Sequence, residues 1–151
     1  MYQLEVKRWL VQYFFPPSKG WKVCVDVDAM ERAKGGKHPP DKADKARIAE
    51  DALVDMSVTI GINRDYRRAD IVAKHPEKGR FIIEVEGDSS KQKEQAMYSA
   101  LGQLLLMMDG KKHTYILAVP DDEKWETVVR RVPAYAMTAL NLSCVLVSEH
   151  V

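Results

Sequence analysis

The sequence has few cysteines and no long apolar run, and both scarcities limit what the chain can be. Its 151 residues include 2 cysteines, Cys24 and Cys144, and neither belongs to a C-x-x-C pair, which argues against a zinc site, a redox motif and a disulfide framework. No apolar run approaches the ~18 residues of a membrane-spanning helix, and the first residues lack the apolar region of a signal peptide. We therefore expect a cytoplasmic protein with free thiols and no membrane partner.

An excess of one charge is also missing, since the formal net charge is +1. Such a small charge gives no strong bulk attraction to nucleic acid or to an anionic membrane. A local basic excess lies in segment 30–42, which also contains Gly35-Gly36 and Pro39-Pro40 and so cannot supply a packed face. We predict a mobile basic loop over about 30–42, either a solvated linker or an arm that contacts phosphates.

Hydrophobic periodicity predicts one α/β domain over 1–151, with a mixed central sheet and flanking helices. A first helix over 2–15 has an apolar stripe made of Val6, Trp9, Leu10, Tyr13 and Phe14. Further helices are predicted over 45–56, from the capping box Ser89-x-x-Gln92 to Gly110, and after Asp121-Asp122. Strands are predicted from Trp21, over 57–60, 68–73, 80–86 and 114–119, and over 144–147. The turn His75-Pro-Glu-Lys-Gly79 should join 68–73 and 80–86 as an antiparallel hairpin.

Three acidic residues converge on this hairpin. Glu84 and Glu86 share one face of strand 80–86, ~7 Å apart, and Asp70 lies among apolar residues of the paired strand. Carboxylates in a segment fit for burial need a neutralising cation, and hard oxygen donors select Mg²⁺ or Mn²⁺. The pattern predicts a divalent-metal site, and it leaves open an exposed strand face on which the glutamates form surface ion pairs. Their partners would then be Arg67, Arg68 or Lys91.

Asp70 followed by Glu84-Val85-Glu86 resembles the PD-(D/E)XK nuclease superfamily, in which an acidic residue precedes an apolar strand that ends in acid-x-Lys and leads into a helix. Ala100-Leu-Gly-Gln103 and the strand Tyr115–Pro120 are similar to the core of small members, including proteins described as controlling factors for DNA-element excision. The resemblance covers about residues 66–147. It implies an αβββαβ restriction endonuclease-like core.

The resemblance also implies an activity, that of a divalent-metal-dependent DNA endonuclease-like protein which hydrolyses phosphodiester bonds. Asp70 and Glu84, with the Val85 carbonyl, would hold the Mg²⁺ or Mn²⁺ cofactor, which polarises a phosphate oxygen and lowers the pKa of a bound water. By the same resemblance Glu50 is a further candidate metal ligand, and Gln103 is a candidate accessory catalytic group.

The sequence departs from the family at one position, since Glu86 stands where the family carries its lysine. Three interpretations of this departure remain open. Glu86 acts as a base or as a second-metal ligand, or Lys91 or Lys93 from the next helix replaces the lysine, or activity is lost. In the last case the chain is a catalytically inactive member of the fold that serves as a nucleic-acid-binding or protein-interaction module.

DNA is the expected partner of the acidic cleft. Its phosphates should contact two groups of cations, which are Arg32, Lys34 and Lys37 in the loop and Arg64, Arg67 and Arg68 beside Asp70. Affinity for DNA should then fall steeply as salt rises. The sequence leaves open a homodimer or a partner protein. Its four histidines show no ligand spacing and are expected at the surface.

Overall fold

The first helix buries a different face from the one that its aromatic residues suggest. The structure is a computed structural model that describes residues 1–149, and its first helix, α1, spans Gln3–Phe14. The prediction that Tyr13 and Phe14 belong to the buried stripe is wrong, because they are 41% and 51% exposed. Aliphatic side chains pack against the sheet instead, and Lys7 lies in the middle of this buried face. Its buried members are Leu4, Val6, Lys7, Leu10 and Val11.

Six strands form one mixed sheet in the order β2-β1-β3-β4-β5-β6. They are β1 Lys22–Val25, β2 Thr59–Ile60, β3 Ile71–His75, β4 Gly79–Val85, β5 Thr114–Pro120 and β6 Leu142–Val147. β3 is antiparallel to both of its neighbours, whereas β1 pairs in parallel with β2, and β4, β5 and β6 are parallel to one another. The predicted α/β class, the mixed central sheet with flanking helices and the β3–β4 hairpin are confirmed.

Helices cover both faces of this sheet. Those that follow α1 are α2 Ala29–Arg32, α3 Lys42–Asp55, α4 Lys93–Leu106, α5 Glu123–Val129 and α6 Ala134–Leu140. Because successive strand residues point to opposite faces, the sheet contributes to two cores, one with α1 and α3 and the other with α4, α5 and α6. None of the helices found in residues 1–149 has the length and apolar character to cross a bilayer.

The chain does not enter α4 at the predicted capping box. Gln92 rather than Ser89 precedes the first helical residue, and it makes no side-chain cap. The delay arises because the segment after β4 runs against the start of α1. Gly87 lies so close to Gln3 that a Cβ atom would stand 2.4 Å from the Gln3 backbone nitrogen, and Asp88 N donates to Met1 O at 2.8 Å.

The basic segment 30–42 is divided between three local structures. Its first residues belong to α2, turns follow over 33–41, and Lys42 begins α3. A reciprocal capping box starts α2, in which Glu31 N donates to Asp28 Oδ1 at 2.9 Å and Asp28 N donates to Glu31 Oε1 at 3.3 Å. This cap turns Glu31 toward α1 and buries it. The mobility of the segment stays a prediction.

Candidate active site

Three acidic residues stand in a row across the ends of neighbouring strands. Asp26 N donates to Asp70 O at 2.9 Å, which extends the pairing of β1 with β3. The register of β3 with β4 then places Asp70 opposite Glu84. We call Asp26, Asp70 and Glu84 the acid row. It lies where β1 and β4 end and where β3 begins.

Asp70 and Glu84 lie opposite each other, and each carboxyl group shifts the pKa of the other. Asp70 Oδ2 also accepts from Val85 N at 2.8 Å. Within residues 1–149 the buried Glu84 Oε1 has no hydrogen-bond partner. Burial raises the pKa of both carboxyl groups, and the charge of Asp70 raises the pKa of Glu84 further. Since 19% of the Asp70 side chain is exposed, solvent reaches the pair from that side.

Glu86 lies beside the acid row and is half-buried. Burial, assisted by the negative charge of Asp70, raises its pKa to about 7, while the Lys7 ammonium opposes this shift. A carboxylate with such a pKa exchanges a proton near neutral pH. That is the property required of a general base.

Lys7 provides a positive charge inside the cluster that sequence reasoning missed. The side chain is fully buried. Its Nζ donates to Asp26 O at 2.5 Å and to Glu31 Oε1 at 2.7 Å, and it lies 3.9 Å from Asp70 Oδ1. The available signal was its position between Leu4 and Val11, where a lysine interrupts an aliphatic helix face.

Glu31 is the second residue that the sequence reading missed. It forms a buried ion pair with Lys7, and among the described residues its Oε2 has no hydrogen-bond partner. Burial raises the pKa of Glu31, and the Lys7 ammonium opposes the rise. The signal that could have placed it is Asp28-x-x-Glu31, which matches the capping-box pattern.

The structure does not bring the two candidate substitute lysines to the glutamates. Lys93 Nζ lies 5.2 Å from the centre of the Trp125 ring and donates to Ser90 O at 3.4 Å. Lys91 is exposed and lines a groove next to Glu31. In the described part of the chain, neither lysine forms an ion pair with Glu84 or Glu86.

Glu50 and Arg32, expected as a metal ligand and a DNA contact, bind each other. Arg32 Nε donates to Glu50 Oε1 at 2.8 Å, and Nη2 donates to Glu50 Oε2 at 2.9 Å. Arg32 therefore engages both carboxylate oxygens of Glu50. Gln103 is half-buried on α4. The other expected DNA contacts are all exposed, and they are Lys34, Lys37, Arg64, Arg67 and Arg68.

Asp70 and Glu84 fit a hard divalent cation in donor type, and the unpartnered Oε1 of Glu84 adds a free lone pair. The fit is incomplete in the metal-free form. The Val85 carbonyl, expected as a third ligand, accepts a hydrogen bond from Gln3 Nε2 at 2.6 Å. Across residues 1–149, no three or more His, Cys, Asp or Glu side chains are grouped so that they could hold a metal ion.

A polar cluster around the buried Tyr66 anchors the loop that leads to Asp70. Tyr66 OH donates to Asp109 Oδ2 at 2.7 Å and contacts His113 Nε2 at 2.6 Å, and burial, assisted by Asp109, raises the pKa of Tyr66 to about 12. The histidines expected at the surface include His38, His75 and His113, and each of these is half-buried. His150 lies outside the described residues.

Comparisons with protein-family models, with curated proteins and with solved structures yield no match to this chain. Function is therefore inferred from the chemistry of the acid row and its neighbours. They combine two carboxyl groups in contact, a glutamate that titrates near pH 7 and a buried ammonium.

Proposed function

We propose that the protein is a DNA endonuclease that hydrolyses phosphodiester bonds at the acid row with Mg²⁺ or Mn²⁺ as cofactor. The observation that carries this proposal is the contact between Asp70 and Glu84, with Glu84 only 4% exposed. Two neighbouring buried carboxyl groups must either keep a proton between them or have their charge compensated by a cation. A bound cation would take the place of the proton that Glu84 holds in the metal-free form. Apart from α2, α3 and β2, which lie between β1 and β3, the element order α1-β1-β3-β4-α4-β5 agrees with the αβββαβ order of a restriction endonuclease-like core. This agreement supports the same proposal.

Each residue of the site has a role in such a reaction. Asp70 and Glu84 would hold the cation, which when bound supplies Lewis-acid polarisation of a phosphate oxygen and lowers the pKa of water. Glu86 would accept a proton from the attacking water, since its pKa lies at about 7. Lys7 is fully buried and cannot touch DNA, so it acts as a positioning residue. Its ammonium holds Glu31 and opposes the rise that burial causes in the pKa of Asp70.

Exposed cations flank the approach to this site. Arg67 and Arg68 lie just before Asp70 in the chain, Arg64 lies in the same loop, and all three side chains are exposed. Tyr66 fixes this loop through its hydrogen bond to Asp109. Phosphate contacts from such a loop would place a DNA backbone next to the acid row.

A second candidate function is a catalytically inactive member of the fold that binds nucleic acid or a protein. It is favoured by the internal partners of the site. Gln3 Nε2 binds the Val85 carbonyl, and the Lys7 ammonium lies near Asp70. In this case titration with Mn²⁺ should reveal no saturable binding at the acid row.

The endonuclease proposal predicts cleavage that requires both a divalent cation and Asp70. Supercoiled plasmid incubated with wild-type protein and Mg²⁺ or Mn²⁺ should be nicked or linearised, and EDTA should abolish the reaction. Mutation of a residue that hydrogen-bonds a metal ligand lowers metal affinity or activity by ~10 to 100-fold. Asp70→Asn removes a ligand itself, so it should reduce the cleavage rate by about a hundredfold or more.

Asp65→Asn is the matched control, because Asp65 lies in the same loop and is 68% exposed. It should cleave at the wild-type rate. Calorimetric titration with Mn²⁺ completes the experiment, since saturable binding should be lost in Asp70→Asn and kept in Asp65→Asn. Absence of both cleavage and cation binding in wild type contradicts the proposal and supports the inactive module.

A further inference from the structure

A groove of about 700 Å³ opens beside the acid row. Its walls are the start of α1, the turn around His38, the start of α3 and the segment 88–91 that follows β4. Glu31, which binds Lys7, lines it directly, and so does Gln3, which binds Val85 O. We call it the lysine groove, after Lys37, Lys42, Lys45 and Lys91.

Two of these lysines are engaged by the protein itself. Lys42 Nζ donates to Met30 O at 2.8 Å, and Lys45 Nζ pairs with Asp41 at 3.0 Å. Lys37 and Lys91 are exposed and, among residues 1–149, form no ion pair with an acidic side chain. The groove thus offers two ammonium groups that can bind an external anion.

Two acidic residues of the groove are already compensated. Asp88 pairs with the amino group of Met1, and Glu31 pairs with Lys7. Glu5 accepts from Tyr2 N at 3.0 Å. Glu5 keeps its negative charge, but Lys37, Lys42 and Lys91 also line the groove and form no ion pair among the described residues, so the uncompensated charge on the wall is still positive.

The remaining wall is apolar and aromatic. Leu4 and Met30 line the groove, as do Pro39 and the half-buried Tyr2, and Met30 is 64% exposed. Single-stranded nucleic acid binds grooves that combine cations for phosphates with flat or apolar surfaces for bases. A duplex keeps its bases stacked and presents phosphates, so it has no group for the apolar wall.

We infer that the lysine groove binds one single strand of nucleic acid, with phosphates on Lys37 and Lys91 and a base against Tyr2 and Met30, next to the acid row. This inference rests on the proposed function, which it deepens by naming a single strand as the substrate. The strand would pass Glu31 as it approaches Asp70.

Fluorescence anisotropy with a labelled single-stranded DNA and with the matching duplex tests this inference, in Ca²⁺ and in EDTA. Wild type should bind the single strand more tightly than the duplex. Lys37→Ala/Lys91→Ala should weaken single-strand binding about tenfold and should lower the salt slope by ~0.7 for each lysine. Lys111→Ala/Lys112→Ala, two exposed lysines at the opposite end of the sheet, should bind as wild type does.

Binding and cleavage, measured separately, distinguish a failure of this inference from a failure of the endonuclease proposal. In EDTA, Asp70→Asn should retain the single-strand affinity of the wild type, whereas in Mg²⁺ it should lose cleavage. Equal binding by wild type and Lys37→Ala/Lys91→Ala, or tighter binding of the duplex, would overturn the groove assignment whatever the cleavage assay shows. Competition by a free mononucleotide as strong as that by the oligonucleotide would also overturn it, because the site would then take a nucleotide rather than a strand.

Discussion

Glutamine in place of Glu84 is expected to stabilise the metal-free protein at pH 8 by on the order of 2 kcal/mol. The reason is the raised pKa of Glu84, which is caused first by burial and then by the charge of Asp70. Above pH ~4.5 the unfolded chain has released a proton that the folded protein still holds. Folding at pH 8 therefore requires Glu84 to take up a proton, which costs free energy. A glutamine amide donates to Asp70 without taking up a proton, so Glu84→Gln removes that cost.

The sign of the pH dependence follows from these shifts. The stabilising contribution of Asp70, Glu84 and Glu86 is complete below the ordinary pKa of a carboxyl group. This contribution is lost as pH rises through the pKa values of these groups in the folded protein, and the pKa of Glu86 is about 7. His113 acts in the opposite sense below its ordinary value of 6.5, because burial lowers its pKa. The loss of stability caused by the three carboxyl groups is therefore measured best between pH 6.5 and about 9.

Urea unfolding in EDTA across this range checks the prediction. The free energy of unfolding of wild type should fall with rising pH, and Glu84→Gln should give a flatter profile. Glu77→Gln, in the exposed turn between β3 and β4, is the control and should follow wild type. Mg²⁺ at pH 8 should stabilise wild type and leave Glu84→Gln unchanged. Parallel profiles for wild type and Glu84→Gln would show that the two carboxyl groups do not share a proton.

Methionine in place of Lys7 is expected to destabilise the protein by about 3 to 5 kcal/mol at neutral pH, the usual cost of breaking a buried ion pair. Lys7→Met leaves the Glu31 carboxylate buried without its cation, and the Asp26 carbonyl loses a donor. The destabilisation should be smaller at pH 5 than at pH 8, since protonation of Glu31 and Asp70 then removes the uncompensated charge.

A double-mutant cycle separates the ion pair from the packing of the lysine stem. Lys7→Met/Glu31→Gln should recover a substantial part of the stability that Lys7→Met loses. Lys45→Met removes an exposed lysine from the pair with Asp41 and should change stability little. If Glu31→Gln gives no recovery, Lys7 stabilises the protein through its other contacts and does not compensate Glu31.

The sequence was sufficient to predict the hairpin that carries Asp70 and Glu84. Gly79 and the preceding proline mark a tight turn, and the alternation of Phe81, Ile83 and Val85 identifies the face of β4 that packs on the core. With both strands located, a local register follows, and it places Asp70 opposite Glu84. This part of the site could be predicted because Asp70 and Glu84 are close together in the sequence.

The rest of the site depends on contacts between distant segments. The face of α1 was assigned from large aromatic side chains, so Lys7 was missed, although the sheet buries the aliphatic face around it. Likewise, no local pattern signals that Gln3 binds the Val85 carbonyl or that Arg32 binds Glu50. These pairs form only because the sheet brings their elements together.

The central hairpin has a consequence for how quickly the chain folds. β3 and β4 are joined by the short turn 76–78, whereas each other pairing in the described sheet spans at least one helix. Pairings between nearby segments form before those that must close long loops. Asp70 therefore meets Glu84 early, while the sheet is still assembling. If this contact is formed in the transition state, the cost of bringing the two carboxyl groups together slows folding more than it speeds unfolding. We therefore expect stopped-flow measurements in EDTA to show faster refolding in mildly acidic solution than in alkaline solution.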